Sequence, residues 1–154
     1  MHNYALTLGI GFVAGLRTFT APAAVAWGAH LGRLHLYGSP FAFMGSTAAL
    51  VIFTLAALFE YGYDLSPIAR RRTEPSSLIA RIVSGGFCGA CLFASASQSW
   101  IVGALLGGIG GVLGGFAGYH ARKQLVESLK VKDAMIAIPE DLLAIGLAYV
   151  IAVA

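Results

Sequence analysis

The chain alternates between long apolar stretches and short polar segments, with few charges inside the stretches. A stretch of about 20 predominantly apolar residues is long enough to cross a membrane as an α-helix. The pattern predicts five such helices, at residues 4–27, 41–59, 78–96, 100–119 and 136–154. We therefore expect an all-α membrane protein with one polytopic transmembrane domain over residues 1–154.

Composition argues against a soluble domain. Hydrophobic residues make up 58% and charged residues 11% of the 154-residue chain, whereas soluble domains carry about 25% charged residues. The formal net charge of +3 is small and the basic residues are scattered, which does not indicate binding to nucleic acid. The expected surroundings are a lipid bilayer.

The last apolar stretch is too short to span a bilayer without including charges. Thirteen residues follow Asp141, and at about 1.5 Å per residue they reach roughly 20 Å of a core about 30 Å thick. A full span would draw Glu140 and Asp141 into the membrane, where acids mark functional sites. Pro139 is suited to begin a half-helix there. The alternative is a short or re-entrant helix whose acids lie at the interface.

Basic residues are concentrated in two of the predicted loops, and they indicate an orientation. These loops contain Arg70, Arg71, Arg72, Arg122, Lys123, Lys130 and Lys132. The opposite side has only Arg33. By the positive-inside rule the two basic loops are cytoplasmic, which with five spans places the N-terminus in the cytoplasm and the C-terminus on the opposite side of the membrane. Arg81, near the start of span three, is expected to snorkel toward the cytoplasmic interface.

Five spans are compatible with an inverted repeat. Spans one and two would form one unit and spans four and five the other, and the single span three between them would invert the second unit. Residues 9–15 (GIGFVAG) are similar to residues 108–114 (GIGGVLG). Chance similarity between glycine-rich apolar segments is the alternative.

Arg17 lies deep in span one and is the central candidate for a polar site. A central Arg is unfavourable unless it faces the protein interior and meets an acid or water, and we expect Glu140 or Asp141 to neutralise it. Glu60 and Asp64 are four residues apart at the end of span two, so they share a helix face. The alternatives are an ion pair that only fixes packing and acids that are merely solvated.

Span four has the spacing of a helix-packing surface. Gly103, Gly107, Gly111 and Gly115 form one series with steps of four, and Gly110, Gly114 and Gly118 form another. Small residues at this spacing let helix backbones approach closely in a membrane. We predict that these glycine faces contact other helices.

Cys88 and Cys91 have the spacing of a redox pair but are the chain's only cysteines. Membrane thiol oxidoreductases generally need a second pair, so we expect these two to be buried apolar residues, with a thiol redox protein as the minor alternative. The four histidines show no metal-ligand spacing. The sequence predicts no metal, no cofactor and no enzymatic site.

Four segments carry motifs of a known family: residues 15–24 (GLRTFTAPAA), 72–75 (RTEP), 119–122 (YHAR) and 140–145 (EDLLAI). Over nearly its whole length the chain resembles the DUF4126 family of small bacterial membrane proteins. A Lys usually follows the acid at the Asp64 position of that pattern, and here Leu65 does. The resemblance implies the fold and topology but no activity, because the family's function is unknown.

These features predict transport or permeation of a small solute or ion through an intramembrane polar centre. Arg17, Glu60, Asp64, Glu140 and Asp141 would line the pathway, and four acids against one Arg favour a cation or proton. The main alternative is a structural or accessory subunit of a membrane complex. In that role the glycine faces would bind a partner helix or a second copy of the chain.

Overall fold

A computed structural model describes residues 2–64, 75–129 and 133–153 of the chain. Within these residues all regular structure is helical, which confirms the all-α prediction. The elements are α1 (His2–Leu16), α2 (Thr20–His30), a 3₁₀ turn (Ala42–Gly45), α3 (Thr47–Asp64), α4 (Pro75–Ser95), α5 (Trp100–Leu129) and α6 (Asp133–Val153).

Among the described residues, two helices have the length and composition to cross a membrane. They are Pro75–Ser95 and Trp100–Ser128. The apolar helices Asn3–Leu16 and Thr47–Tyr63 are shorter. The structure thus agrees with a helical protein of partly membrane-like character, and it does not confirm five spans.

The predicted first span is two helices that fold back on each other. The ring of Tyr4 packs edge-on against Phe93 near the end of α4, with 5.3 Å between centroids. The last carbonyls of α1 meet Arg81 near the start of α4. Helix α2 then returns, since a pocket after its end is lined by both Asn3 and Arg33. We call α1 and α2 the hairpin, and Arg17, Thr18 and Phe19 its tip.

The hairpin brings the beginning of α1 to the same end of the molecule as the end of α6. The pocket that Asn3 lines also contains Ser95 and Ile151, from the ends of α4 and α6. We call this the Ser95 end and the opposite one the Pro75 end. Residues 4–27 therefore do not form the single continuous helix on which the prediction of termini on opposite sides depends.

Pro22 supplies a local reason for the reversal. A proline ring clashes with the carbonyl four residues earlier and offers no N–H to it. For Pro22 that carbonyl belongs to Thr18, in the tip. A continuous helix through residue 18 is disfavoured, whereas proline is tolerated in the first turn of α2, where it lies.

Helices α1, α4 and α5 pack with their backbones in close contact through glycine. A Cβ added to Gly103 would lie 2.7 Å from Cβ of Phe93, and one added to Gly15 would lie 2.7 Å from Cα of Gly114. Such distances leave no room for a side chain. The predicted packing role is also seen at Gly107, Gly111 and Gly114, each of which faces backbone of another helix. A Cβ on Gly115 would meet Leu78 and Arg81 at ordinary contact distances, and Gly118 is buried.

The direction of these contacts excludes the predicted inverted repeat. Gly11 lies against Gly107 and Gly15 against Gly111 and Gly114, so residue numbers increase together and α1 runs parallel to α5. An inverted repeat requires the first helix of each unit to run in opposite directions. In both segments, later glycines pack against the other helix, Gly11 against Gly110 and Gly15 against Gly114.

Helix α6 passes through Pro139 without a break. The expected half-helix beginning at Pro139 is therefore wrong, and the interrupted element is span one. The 21 residues of α6 correspond to roughly 31 Å at 1.5 Å per residue, about the thickness of a bilayer core.

Candidate functional site at the hairpin tip

The tip leaves backbone groups without helical partners inside the protein. A helix end has N–H or C=O groups that its own hydrogen bonds cannot satisfy, and leaving them unpaired in an apolar interior costs several kcal/mol each. The tip joins the last carbonyls of α1 to the start of α2, and the amides of Thr18 and Phe19 lie within it. Side chains from α3, α4 and α6 converge on it.

Glu60 of α3 binds the amide side of the tip. Its carboxylate accepts hydrogen bonds from the backbone N–H of Thr18, at 2.7 Å, and of Phe19, at 2.8 Å. Phe19, the residue before α2, offers no side-chain cap. Because hydrogen bonds to a charged carboxylate are strong and the N-terminus of a helix carries partial positive charge, Glu60 serves as the cap of α2 from another helix.

Arg81 of α4 binds the carbonyl side. Its guanidinium donates to the carbonyl of Gly15 and, at 2.7 Å, to that of Leu16. Ser84, one turn further along α4, donates its hydroxyl to the Thr18 carbonyl that Pro22 leaves without a helical donor. Arg81 is only 4% exposed, so the prediction that it snorkels to the interface is wrong. A cation at the C-terminal end of α1 is also favoured by the helix dipole.

Arg17 forms an ion pair with Asp141 of α6. This confirms the expected partnership between Arg17 and one of the two late acids. The Arg17 side chain is fully buried, and that of Asp141 is 18% exposed. The guanidinium carbon also lies 5.6 Å from the ring centroid of Tyr61, a cation–π distance. The Tyr61 hydroxyl shares a 2.7 Å hydrogen bond with that of Thr20, at the start of α2.

Glu140, the neighbouring acid, points to a different partner. Its carboxylate lies 3.9 Å from the guanidinium of Arg122 on α5. The structure therefore divides the predicted acid pair between two arginines. The side chain of Asp64 lies outside the described residues, so its predicted place in the site stays a prediction.

Among the described side chains, two arginines and two carboxylates belong to the tip or contact it: Arg17 and Arg81, and Glu60 and Asp141. The described side chains therefore do not show the excess of acids that favoured a cation. Reasoning from the sequence did not assign Arg81, Ser84 or Tyr61 to the site. Arg81 could have been identified, because it is a charged residue within an apolar stretch.

The other candidate residues lie away from the tip. Cys88 and Cys91 are free and fully buried in the core, which agrees with their expected role as apolar residues. His30 contacts the carbonyl of Gly45 through Nδ1, 3.0 Å away. Among the described residues, no three His, Cys, Asp or Glu side chains come together in a way that could hold a metal ion.

Comparison with known proteins gives a family and no further relatives. Neither the curated proteins nor the solved structures contain a match to the chain. A family model described as a domain of unknown function matches residues 4–154, and it includes the tip, Glu60, Arg81 and Asp141. The chain therefore belongs to the DUF4126 family.

Proposed function

We propose that the protein is embedded in a bacterial inner membrane, with α3 to α6 crossing the bilayer and the hairpin inserted from the Ser95 end. The apolar composition and the two helices of membrane-spanning character support this arrangement. Arg70, Arg71 and Arg72 lie in the segment between α3 and α4, and Lys130 and Lys132 between α5 and α6. The described helix ends that flank both segments lie at the Pro75 end, which the positive-inside rule assigns to the cytoplasm. Both termini are then periplasmic.

Within that membrane, we propose that the protein transports or conducts a small solute or ion past the tip. The observation that carries the proposal is the hairpin whose tip ends among buried charges. Irregular backbone at membrane depth is tolerated only inside protein or along a water-filled cavity. In transporters, interrupted helices of this kind form the binding sites for substrates and ions.

The depth of the tip supports this role. Gly15 contacts Gly115, fifteen residues into α5, or about 22 Å from its start at 1.5 Å per residue. With Trp100 at the interface, as is usual for tryptophan, the tip lies about three quarters of the way through a core of about 30 Å. Only a thin layer would separate it from the cytoplasm.

A structural or accessory role is the second candidate, and one observation favours it. Glu60, Arg81 and Asp141 each bind another group of the same chain. A polar site that only held the hairpin in place would contain the same hydrogen bonds and the same ion pair. In that case the protein would stabilise a partner in the membrane and move no solute.

Reconstitution into liposomes separates the two candidates. We expect the purified protein to raise either proton flux, measured with an internal pH dye, or the entry of urea or glycerol, measured by light scattering. Glu60→Gln should reduce that flux about tenfold, because Thr18 and Phe19 donate to different carboxylate oxygens, one of which becomes an NH2 donor in Gln, and each charge-assisted bond is worth about 1.5–3 kcal/mol. Glu127→Gln, on the exposed part of α5, is the matched control. Flux equal to that of empty liposomes for all three probes would contradict transport and favour the accessory role.

A further inference from the structure

A cavity of about 300 Å³ lies between α2, α3 and α6, and its lining begins at Thr20, the residue after the tip. Most of its lining is apolar, and Ala57 and Ala148 are among the buried residues of its wall. Its mouth is formed by exposed side chains from all three helices, including Trp27, Leu58 and Tyr149. In the membrane arrangement proposed above, this mouth faces lipid.

The inner end of the cavity is polar. Thr20 and Tyr61 line it, and their hydroxyls share one hydrogen bond. Two hydroxyls contain two O–H donors and four acceptor lone pairs, so one shared bond leaves capacity for a further partner. Tyr61 is also the residue whose ring lies beside the Arg17 guanidinium. A molecule that reached this end would therefore adjoin the tip.

The size and shape of the cavity suit an elongated molecule. The lining extends along α2 from Thr20 to Leu31, about 16 Å at 1.5 Å of rise per residue. The volume is about twice that of an apolar cavity that binds benzene. Pockets that are mostly apolar with a few convergent polar groups are the usual form of small-molecule sites.

We propose that this cavity binds an uncharged single-chain amphiphile that enters from the bilayer, with its hydroxyl at Thr20 and Tyr61 and its chain toward Leu31. An ionic head group is disfavoured, since a charge loses its hydration against the apolar wall and the guanidinium of Arg17, beside Tyr61, already pairs with Asp141. A hydroxyl instead gains hydrogen bonds at the inner end. The proposal assigns a ligand to a cavity beside the tip and rests on the proposed function only for the membrane arrangement, so binding is measurable without transport.

The two tryptophans allow a direct test. Trp27 lines the cavity, whereas Trp100 packs near Phe41, 6.2 Å between centroids. The Trp100→Phe and Trp27→Phe variants, each with one remaining tryptophan, are placed in nanodiscs and titrated with a medium-chain alcohol brominated at its chain end. We expect saturable quenching of Trp27 and only linear quenching of Trp100. An alcohol brominated beside its hydroxyl should quench Trp27 less, because its bromine would lie deeper. Equal, linear quenching of both tryptophans would overturn the proposal.

Matched substitutions on the Trp100→Phe background identify the site. Ala24→Phe fills the cavity, which Ala24 lines, and should abolish the saturable phase. Ala117→Phe, at an exposed position of α5, should leave it unchanged. Tyr61→Phe should weaken binding of the alcohol by about tenfold while leaving the bromoalkane of equal length unaffected, since about 1.4 kcal/mol per lost hydrogen bond is tenfold. Equal effects of Ala24→Phe and Ala117→Phe, or equal effects on alcohol and alkane, would overturn the site as described.

The outcome is independent of the flux measurement. Saturable quenching by a protein that shows no flux would support the binding site and contradict transport. Flux without saturable quenching would overturn this site and leave the proposed function standing.

Discussion

Pro22 and Glu60 act together on the three residues at which the first apolar stretch reverses. Pro22 prevents a continuous helix through Thr18, and this alone would leave amides and carbonyls without partners. Glu60 accepts from two of those amides, and Arg81 and Ser84 donate to three carbonyls. The break is thus local in origin, but its stability depends on residues 40 or more positions away.

At the same scale, Arg17→Met should strongly destabilise the protein. Removing one member of a buried ion pair leaves the other charge uncompensated and typically costs about 3–5 kcal/mol. The fully buried Arg17 side chain meets Asp141 in such a pair. We expect a clear fall in the thermal unfolding temperature in detergent, and partial recovery when Asp141→Asn is added.

Arg122→Met is the comparison for this measurement. It removes a longer pair, 3.9 Å from Glu140, and should have a smaller effect. If adding Asp141→Asn to Arg17→Met brings no recovery, the Arg17–Asp141 pair does not account for the loss.

Among the elements, the glycine faces of α1, α4 and α5 set the distance between the helices. Helices in lipid gain little from the hydrophobic effect on association and depend on close packing. Gly107 contacts both Gly11 of α1 and Gly85 of α4. A single position of α5 therefore controls two interfaces.

Gly114→Leu should separate α5 from α1. A Cβ at Gly114 would already lie 3.0 Å from Cα of Gly15, and overpacking of this kind costs about 1–3 kcal/mol. Gly146→Leu on α6 is a matched control, because nothing lies within 4 Å of its added Cβ. We expect a lower unfolding temperature for Gly114→Leu alone, and equal temperatures for the two variants would mean that the α1–α5 contact is absent in the membrane.

The elements also show where sequence reasoning succeeds and where it fails. The packing role of the α5 glycines and the buried ion pair of Arg17 could be predicted from the sequence, because close helix packing in a membrane and burial of a charge each require particular residues. The reversal at residues 17–19 could not be predicted in this way. Residues 4–27 have the length of a span, and Pro22 is compatible with both a kinked span and a turn. The choice depends on Glu60 and Arg81, whose positions follow only from the tertiary fold.

At the scale of the whole molecule, the hairpin changes the topology expected from the chain. If residues 4–27 crossed the membrane, the two termini would lie on opposite sides. In the structure, Asn3 and Ile151 line the same pocket. If α3 to α6 cross the bilayer as proposed, they provide an even number of crossings between termini at one end. Together with basic segments at the Pro75 end, this predicts that both termini are periplasmic.

Reporters fused at three positions test this arrangement. Alkaline phosphatase, active only in the periplasm, should be active at either terminus, and a cytoplasmic fluorescent protein should be dark at both. A reporter inserted between residues 64 and 75 supplies the matched control, because that segment should be cytoplasmic and give the opposite pattern. Arg17→Met should leave the C-terminal signal unchanged, since the segments beside α3 to α6 carry their own charge bias. If contacts at the tip hold the hairpin in place, this variant should also give some cytoplasmic signal from the N-terminal fusion. A fluorescent N-terminal fusion of the native sequence, with the C-terminus periplasmic, would mean that residues 4–27 cross the membrane. The hairpin, and with it the assignment of the tip as the functional site, would then be wrong.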